Sequence, residues 1–212
     1  MSFAEELASL LPADLPNRED VIARSARHLD LIVEANLQFN LTRITTPRDA
    51  AIKHVLDSVL PWRHFADAPT VLDAGSGAGY PGIPLALVLP AVRFTLSESI
   101  GKKARFLEAA VKELGLTNVR VEPRRAEDCL KDPRPAAILT ARAVAPLVRA
   151  VPLFAPALKR GVRALLYKGP DSDLEIAEAA QELKRARVSA RVLDRYQLPD
   201  DAGTRTVIEL KM

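Results

Sequence analysis

Val71-Leu72-Asp73-Ala74-Gly75-Ser76-Gly77-Ala78-Gly79-Tyr80-Pro81-Gly82-Ile83-Pro84 is the stretch on which the reading of the chain turns. An apolar run ends in an acid, breaks into alternating glycines, and resumes as an apolar segment whose early prolines suit a first helical turn. The pattern reads as strand, tight turn, helix. Such a turn needs positive φ, and a missing Cβ lets a ligand approach the backbone.

Downstream, strands alternate with helices. Residues 92–96 read as a second strand ending at Ser97-Glu98-Ser99, and a helix over about 100–114 is closed by Gly115. Further strands are expected at 118–121, 136–140, 162–167, 188–196 and 204–211, with a charged helix over 171–187. Repeated β-α units with short connections specify an α/β fold with a doubly wound, mainly parallel sheet. Upstream, residues 1–69 read as helical. Asn17, with Asp20 three positions on, suits a helix start, and Ile22, Ala26, Leu29, Ile32, Val33 and Leu37 share one face. Thr46-Pro47 restarts a helix that carries His54, Asp57 and Ser58 at i, i+3 and i+4. Asp67-Ala68-Pro69 marks the expected boundary between an extension at 1–69 and a core at 70–212.

At 212 residues and 48% apolar, the chain can bury one sizeable core. Its net charge of +3 is unevenly placed: residues 1–69 carry 7 Lys+Arg against 10 Asp+Glu, so the basic excess lies in the part with the glycine turn. That excess suits an anionic partner such as RNA, and equally a solvated basic face. The single Cys129 excludes an internal disulfide and a CxxC metal pair. No metal site is expected. The first residues lack a basic leader, and no apolar run approaches the ~20 residues of a membrane span, so a soluble cytoplasmic protein with no membrane contact is expected.

In an open α/β sheet, ligands sit beyond the carboxyl ends of the strands. Asp73–Tyr80, Glu98, Ala126-Glu127, Arg142 and Lys168 stand there. Gly77-Ala78-Gly79-Tyr80-Pro81-Gly82 fits the dinucleotide pattern G-x-G-x-x-G, which keeps a nicotinamide cofactor open, but it starts late and puts a proline in the turn. Asp73, Gly75, Gly77 and Gly79 fit better the D-x-G-x-G-x-G turn of methyltransferases that use S-adenosylmethionine (AdoMet). Glu98 would accept ribose hydroxyls, and Ala126-Glu127 would read an adenine edge. A P-loop is excluded, since no Gly-Lys-Ser/Thr follows.

The chain resembles the bacterial small-subunit ribosomal RNA guanine-N7 methyltransferases of the RsmG, or glucose-inhibited division protein B, family. Asn40-Leu41-Thr42, His54-x-x-Asp57-Ser58, the extended glycine turn with Pro81 and Pro84, Gly101-Lys102-Lys103, Arg125-Ala126-Glu127, Arg142-Ala143 and Lys168-Gly169 carry the resemblance. It implies a class I methyltransferase core, Rossmann-like, with about seven strands and the last antiparallel, behind a helical extension. It further implies AdoMet as cofactor, S-adenosylhomocysteine as product and 16S rRNA in the small subunit as partner; a monomer is expected. The cofactor contacts it implies are Gly75, Gly77, Tyr80, Ala126, Glu127 and Arg142; the turn and strand-end reading adds Asp73, Gly79 and Glu98 as cofactor residues, although the family's usual acid after the second strand is Asp where this chain has Glu98. Guanine N7 is an unprotonated acceptor, so no general base is needed, and Arg142, His54 and Asp57 are positioning candidates. Lys102, Lys103, Arg124, Arg125 and Lys168 are candidate phosphate contacts. A non-enzymatic RNA-binding module, or methylation of a small molecule or protein, stays open on the residues alone.

Overall fold

β1 (Thr70–Ala74) is buried along most of its length and stops at the acid–glycine turn. The structure is a computed structural model describing residues 1–132, 136–143 and 145–212. Before β1 come α1 (Phe3–Leu10), α2 (Arg18–Asn36) and α3 (Pro47–Ala50); α3 runs through a π-helical turn at Ala51–Leu56 into α4 (Asp57–Val59). After it follow α5 (Gly82–Val88), β2 (Arg93–Ser97), α6 (Gly101–Glu113), β3 (Val119–Glu122) and α7 (Ala126–Cys129). β4 (Ile138–Arg142), α8 (Leu147–Leu158), β5 (Arg163–Lys168), α9 (Ser172–Glu178), α10 (Ala180–Ala186), β6 (Ser189–Leu198) and β7 (Gly203–Lys211) complete the chain.

The seven strands form one sheet in the order β3-β2-β1-β4-β5-β7-β6. β1 pairs in parallel with β2 and β4, and the order reverses at β1, which places the glycine turn at the switch point. β7 runs antiparallel to both β5 and β6. Alternate strand residues feed opposite faces. Val71 and Leu165 join a cluster with Leu7, Leu29, Ile32 and Val55 of the early helices, while Leu72 and Leu166 join Val151, Phe154 and Leu158 of α8. The helices before β1 therefore share an apolar core with one face of the sheet. No helix among the described residues is long and apolar enough to cross a membrane.

Four local expectations need correction. Asn17 does not cap α2 with its side chain: it sits at φ 53° and donates Nδ2–H to the Val88 carbonyl at 3.2 Å, tying α2 to α5. Thr46 and Pro47 take the cap and first helical positions as expected, but the helix does not continue as one: after Ala50 it widens into the π turn. The fourth strand begins at Ile138, two residues later than expected, because pairing with β1 starts opposite Val71. The charged helix is two, α9 and α10, parted at the fully buried Ala179.

Candidate active site

Gly75, Gly77 and Gly79 have φ of 70°, 60° and 101°, backbone that a Cβ would strain. The turn is tied to β2. The Gly75 and Ser76 N–H groups donate to the Ser97 carbonyl at 2.9 and 3.1 Å, and Gly77 N–H donates to Glu98 Oε2 at 3.0 Å. The other Glu98 oxygen accepts from Ile100 N–H at 2.8 Å. A carboxylate has about four lone-pair sites, so Glu98 keeps acceptor capacity. It lines a cavity of about 410 Å³ with Gly75, Arg125, Ala126 and Glu127.

Asp73 orders the turn from beneath. It has no exposed surface, and Oδ2 accepts from Gly82 N–H at 3.0 Å, locking β1 to the start of α5. Burial raises its carboxyl to about 6. Among the sequence-named cofactor residues, Gly75, Glu98, Ala126 and Glu127 line this cavity and Arg142 lines the next; Asp73, Gly77, Gly79 and Tyr80 line neither.

The Tyr80 side chain turns inward. Its ring stacks on His54, with centroids 4.5 Å apart and planes 8° from parallel, and lies 5.1 Å from His28, which stands over Phe106. The Arg142 guanidinium is 5.4 Å from the same ring. The Tyr80 hydroxyl is buried and has no hydrogen-bond partner among the described residues. An orphaned hydroxyl costs about 1–3 kcal/mol of desolvation, so Tyr80→Phe is expected to leave stability unchanged or raise it. Urea unfolding checks this; a loss above about 1 kcal/mol would reveal a partner for the hydroxyl.

Burial lowers the His28 ring to about 4, and burial followed by the Arg142 charge lowers His54 to about 3. Both imidazoles fold neutral, so the unfolded chain binds more protons below about 6.5 and stability falls as pH falls through that range. Asp73 acts in the opposite sense between about 3.8 and 6, where the folded chain holds the extra proton. Two histidines against one acid leave about one proton of net uptake on unfolding between pH 4 and 6. The expected loss is about 1.4 kcal/mol per pH unit, and His28→Gln should flatten it nearly completely. Urea midpoints from pH 7 to pH 4 measure the slope.

Arg142, at the end of β4, joins the π turn to the cleft. Its Nη1 donates to the Lys53 carbonyl at 3.0 Å and to Asp57 Oδ2 at 3.1 Å. Asp57 is buried. It also faces Arg205 Nε at 3.6 Å and accepts from the Tyr196 hydroxyl, which is shared between its carboxylate and carbonyl at 3.0 Å each. Ser58 is spent locally, its hydroxyl donating to the His54 carbonyl, while its own carbonyl accepts from Tyr167 at 2.8 Å. His54, Asp57 and Ser58 thus have three different jobs: ring packing, charge pairing and backbone bracing. Arg142, His54 and Asp57 line a second cavity of about 680 Å³, which meets the first at Ala145, Arg149 and Phe154.

The five sequence-named phosphate contacts separate. Arg125 is exposed beside the smaller cavity. Arg124 is held by Glu122 and Asp132, and Lys168 donates to Glu175 and the Ala145 carbonyl at 2.7 Å each. Lys102 and Lys103 stand on α6, Lys102 over the Phe39 ring. Sequence reasoning missed Arg149, Tyr196 and Arg205; Tyr196 lies 139 residues from the carboxylate it reaches, and no local pattern announces such a pair. Cys129 is buried, which raises its thiol and makes it a poor nucleophile. Among the described residues, no group of three or more His, Cys, Asp or Glu is placed to hold a metal.

The sheet order, with an acid–glycine turn at its switch point, defines the class I methyltransferase fold. An O-methyltransferase from Bacillus cereus in complex with SAH shares it at a TM-score of 0.58 and 19% identity, covering 88% of this chain and 91% of that one. The O-methyltransferase TomG from Streptomyces achromogenes, in complex with SAM, matches at 0.58 and 19%, covering 87% and 90%. At such identity the likeness concerns the fold alone. The family described as GidB, rRNA small subunit methyltransferase G, matches residues 22–198. A protein of Solibacter usitatus named ribosomal RNA small subunit methyltransferase G is 66% identical over 211 residues, covering 100% of both chains. Another of the same name from Carboxydothermus hydrogenoformans is 36% identical over 191 residues, covering 87% of this chain and 80% of that one. The chain belongs to the GidB family of small-subunit rRNA methyltransferases. That membership sets aside the nicotinamide cofactor that the late G-x-G-x-x-G run left open.

Proposed function

We propose that this protein transfers a methyl group from AdoMet to N7 of one guanine in the decoding-site region of 16S rRNA. The observation that carries the reading is the two-armed cleft at the switch point. Its smaller arm offers a carboxylate and a glycine backbone, and its wider arm is rich in cations. The small arm fits an adenosine group: Glu98 has acceptor capacity for ribose hydroxyls, and Ala126-Glu127 borders the same space. When bound, AdoMet supplies a sulfonium methyl; the N7 lone pair forms the new N–C bond while the C–S pair stays on sulfur, giving S-adenosylhomocysteine. No side chain has to remove a proton, because N7 carries none.

The protein's part is positioning. Glu98 and the glycine turn orient the cofactor, and Arg142 borders the reacting edge. Asp57 offsets the Arg142 charge, which lessens its repulsion toward a cationic sulfonium. Residues 1–69 act as a helical extension that braces the cleft from one side, with 70–212 as the catalytic core. We place the protein in the cytoplasm as a monomer acting on the small subunit.

The test is transfer of labelled methyl from AdoMet to small-subunit particles and to naked 16S rRNA, both lacking the modification, followed by mapping of the product base. Label at guanine N7 is expected. Label confined to protein, to a small molecule or to another base atom would overturn the reading.

A further inference from the structure

The wider arm holds an excess of positive charge that methyl transfer itself does not use. Lys53, Arg142, Arg149, Lys168 and Arg205 line it against the carboxylates Asp57 and Glu175. Lys168 is matched by Glu175, and Lys53 by Asp49. Asp57 is shared between two guanidiniums, Arg142 at 3.1 Å and Arg205 at 3.6 Å, so one positive charge there is left over. Arg149, in the first turn of α8, is exposed, has no acidic partner among the described residues, and stands where the two arms join. The surplus therefore sits on Arg149 and Arg205.

Substrate geometry gives this surplus a use. In an A-form duplex, N7 faces a deep, narrow groove that side chains cannot enter. Presenting N7 to a methyl donor inside a cleft requires the guanosine to leave its stack. A cavity of about 680 Å³ lies within the range, roughly 300–1,000 Å³, that encloses a ligand of nucleotide size. We infer that the wider arm receives the target guanosine extruded from its stack, with Arg149 and Arg205 holding the phosphates that flank it. This rests on the reading of rRNA as substrate. Arg142, fastened to Asp57 and to the Lys53 carbonyl, is the fixed cation of the arm, and Arg205, at 3.6 Å from the same acid, is the one released to the phosphate.

Arg149→Ala and Arg205→Ala enzymes are assayed on the rRNA substrate over a salt series, with AdoMet affinity measured calorimetrically on the same preparations. Each substitution is expected to raise KM for the rRNA about tenfold at low salt with kcat unchanged, the worth of one charge-assisted contact. Each should also lower the slope of log affinity against log salt by about 0.7–0.9, one phosphate fewer. AdoMet affinity should stay within about twofold. Weakened AdoMet binding with an unchanged salt slope would assign the two arginines to the cofactor carboxylate and overturn the inference. Wild-type kinetics in both variants would also overturn it. Failure of the substrate reading is separate: there the unsubstituted enzyme itself gives no methylated rRNA.

Discussion

Gly82→Ala is expected to be strongly destabilising. Helix propensity alone would favour the change, since Gly82 opens α5 and alanine gains about 1 kcal/mol over glycine in a helix. Contact decides otherwise. A Cβ built there lies 2.2 Å from Leu96 Cδ2, 2.8 Å from Asp73 Oδ2 and 3.2 Å from Asp73 Cβ. Leu96 is itself fully buried in β2. Relief means moving α5 off β1, which also breaks the Gly82–Asp73 hydrogen bond and strands a buried acceptor. Overpacking and an unpaired buried group together amount to about 3–5 kcal/mol, a large share of the about 5–15 kcal/mol that holds a domain folded. Calorimetry should show Tm lower by about 10 °C or more. A fall of under about 3 °C would mean that Leu96 repacks freely and that the Asp73 bond is dispensable.

Arg142→Ala is expected to reduce methyl transfer about 100-fold or more while costing comparatively little stability. The guanidinium fixes the end of β4 to the π turn by bonds to Lys53 and Asp57, and a displacement of about 1 Å at a reacting edge can cost two orders of magnitude. Removing one partner of a buried pair ordinarily costs about 3–5 kcal/mol. Here Asp57 keeps the Tyr196 hydroxyl and Arg205, so the stability loss should fall below that range. Arg142→Lys retains the charge but not the planar guanidinium over the Tyr80 ring, and should remain impaired. Initial rates on rRNA with parallel urea unfolding separate the two effects; unchanged turnover in Arg142→Ala would remove this residue from the site.

The strand–turn–helix unit was legible because its signals are local: an acid, three alternating glycines and early prolines within a dozen residues. The seven strands were legible for the same reason, with errors where apolarity outran pairing, as at Ala136 and Ala137 ahead of β4. What stayed hidden depends on distant partners. Asn17 looked like a cap because its neighbours are helical, yet the Val88 carbonyl claims its side chain. Lys168 looked like a free cation at a strand end until α9 brought Glu175 to it. His54, Asp57 and Ser58 were found as a trio on one helix face, but the π turn and the partners that divide their roles could not be read from spacing. The cleft's charge balance is likewise a property of seven elements meeting, visible only once they meet.

The placement of β7 between β5 and β6 bears on how the molecule comes into being. Synthesis is vectorial, and a domain folds as its segments emerge. Asp57 is made early, but Tyr196 and Arg205, on the closing hairpin, reach it only after well over a hundred further residues have been made. A chain cut between β5 and β7 has the glycine turn and both flanking strands, yet its wider arm lacks Arg205. Completion of the cleft therefore waits on the closing hairpin.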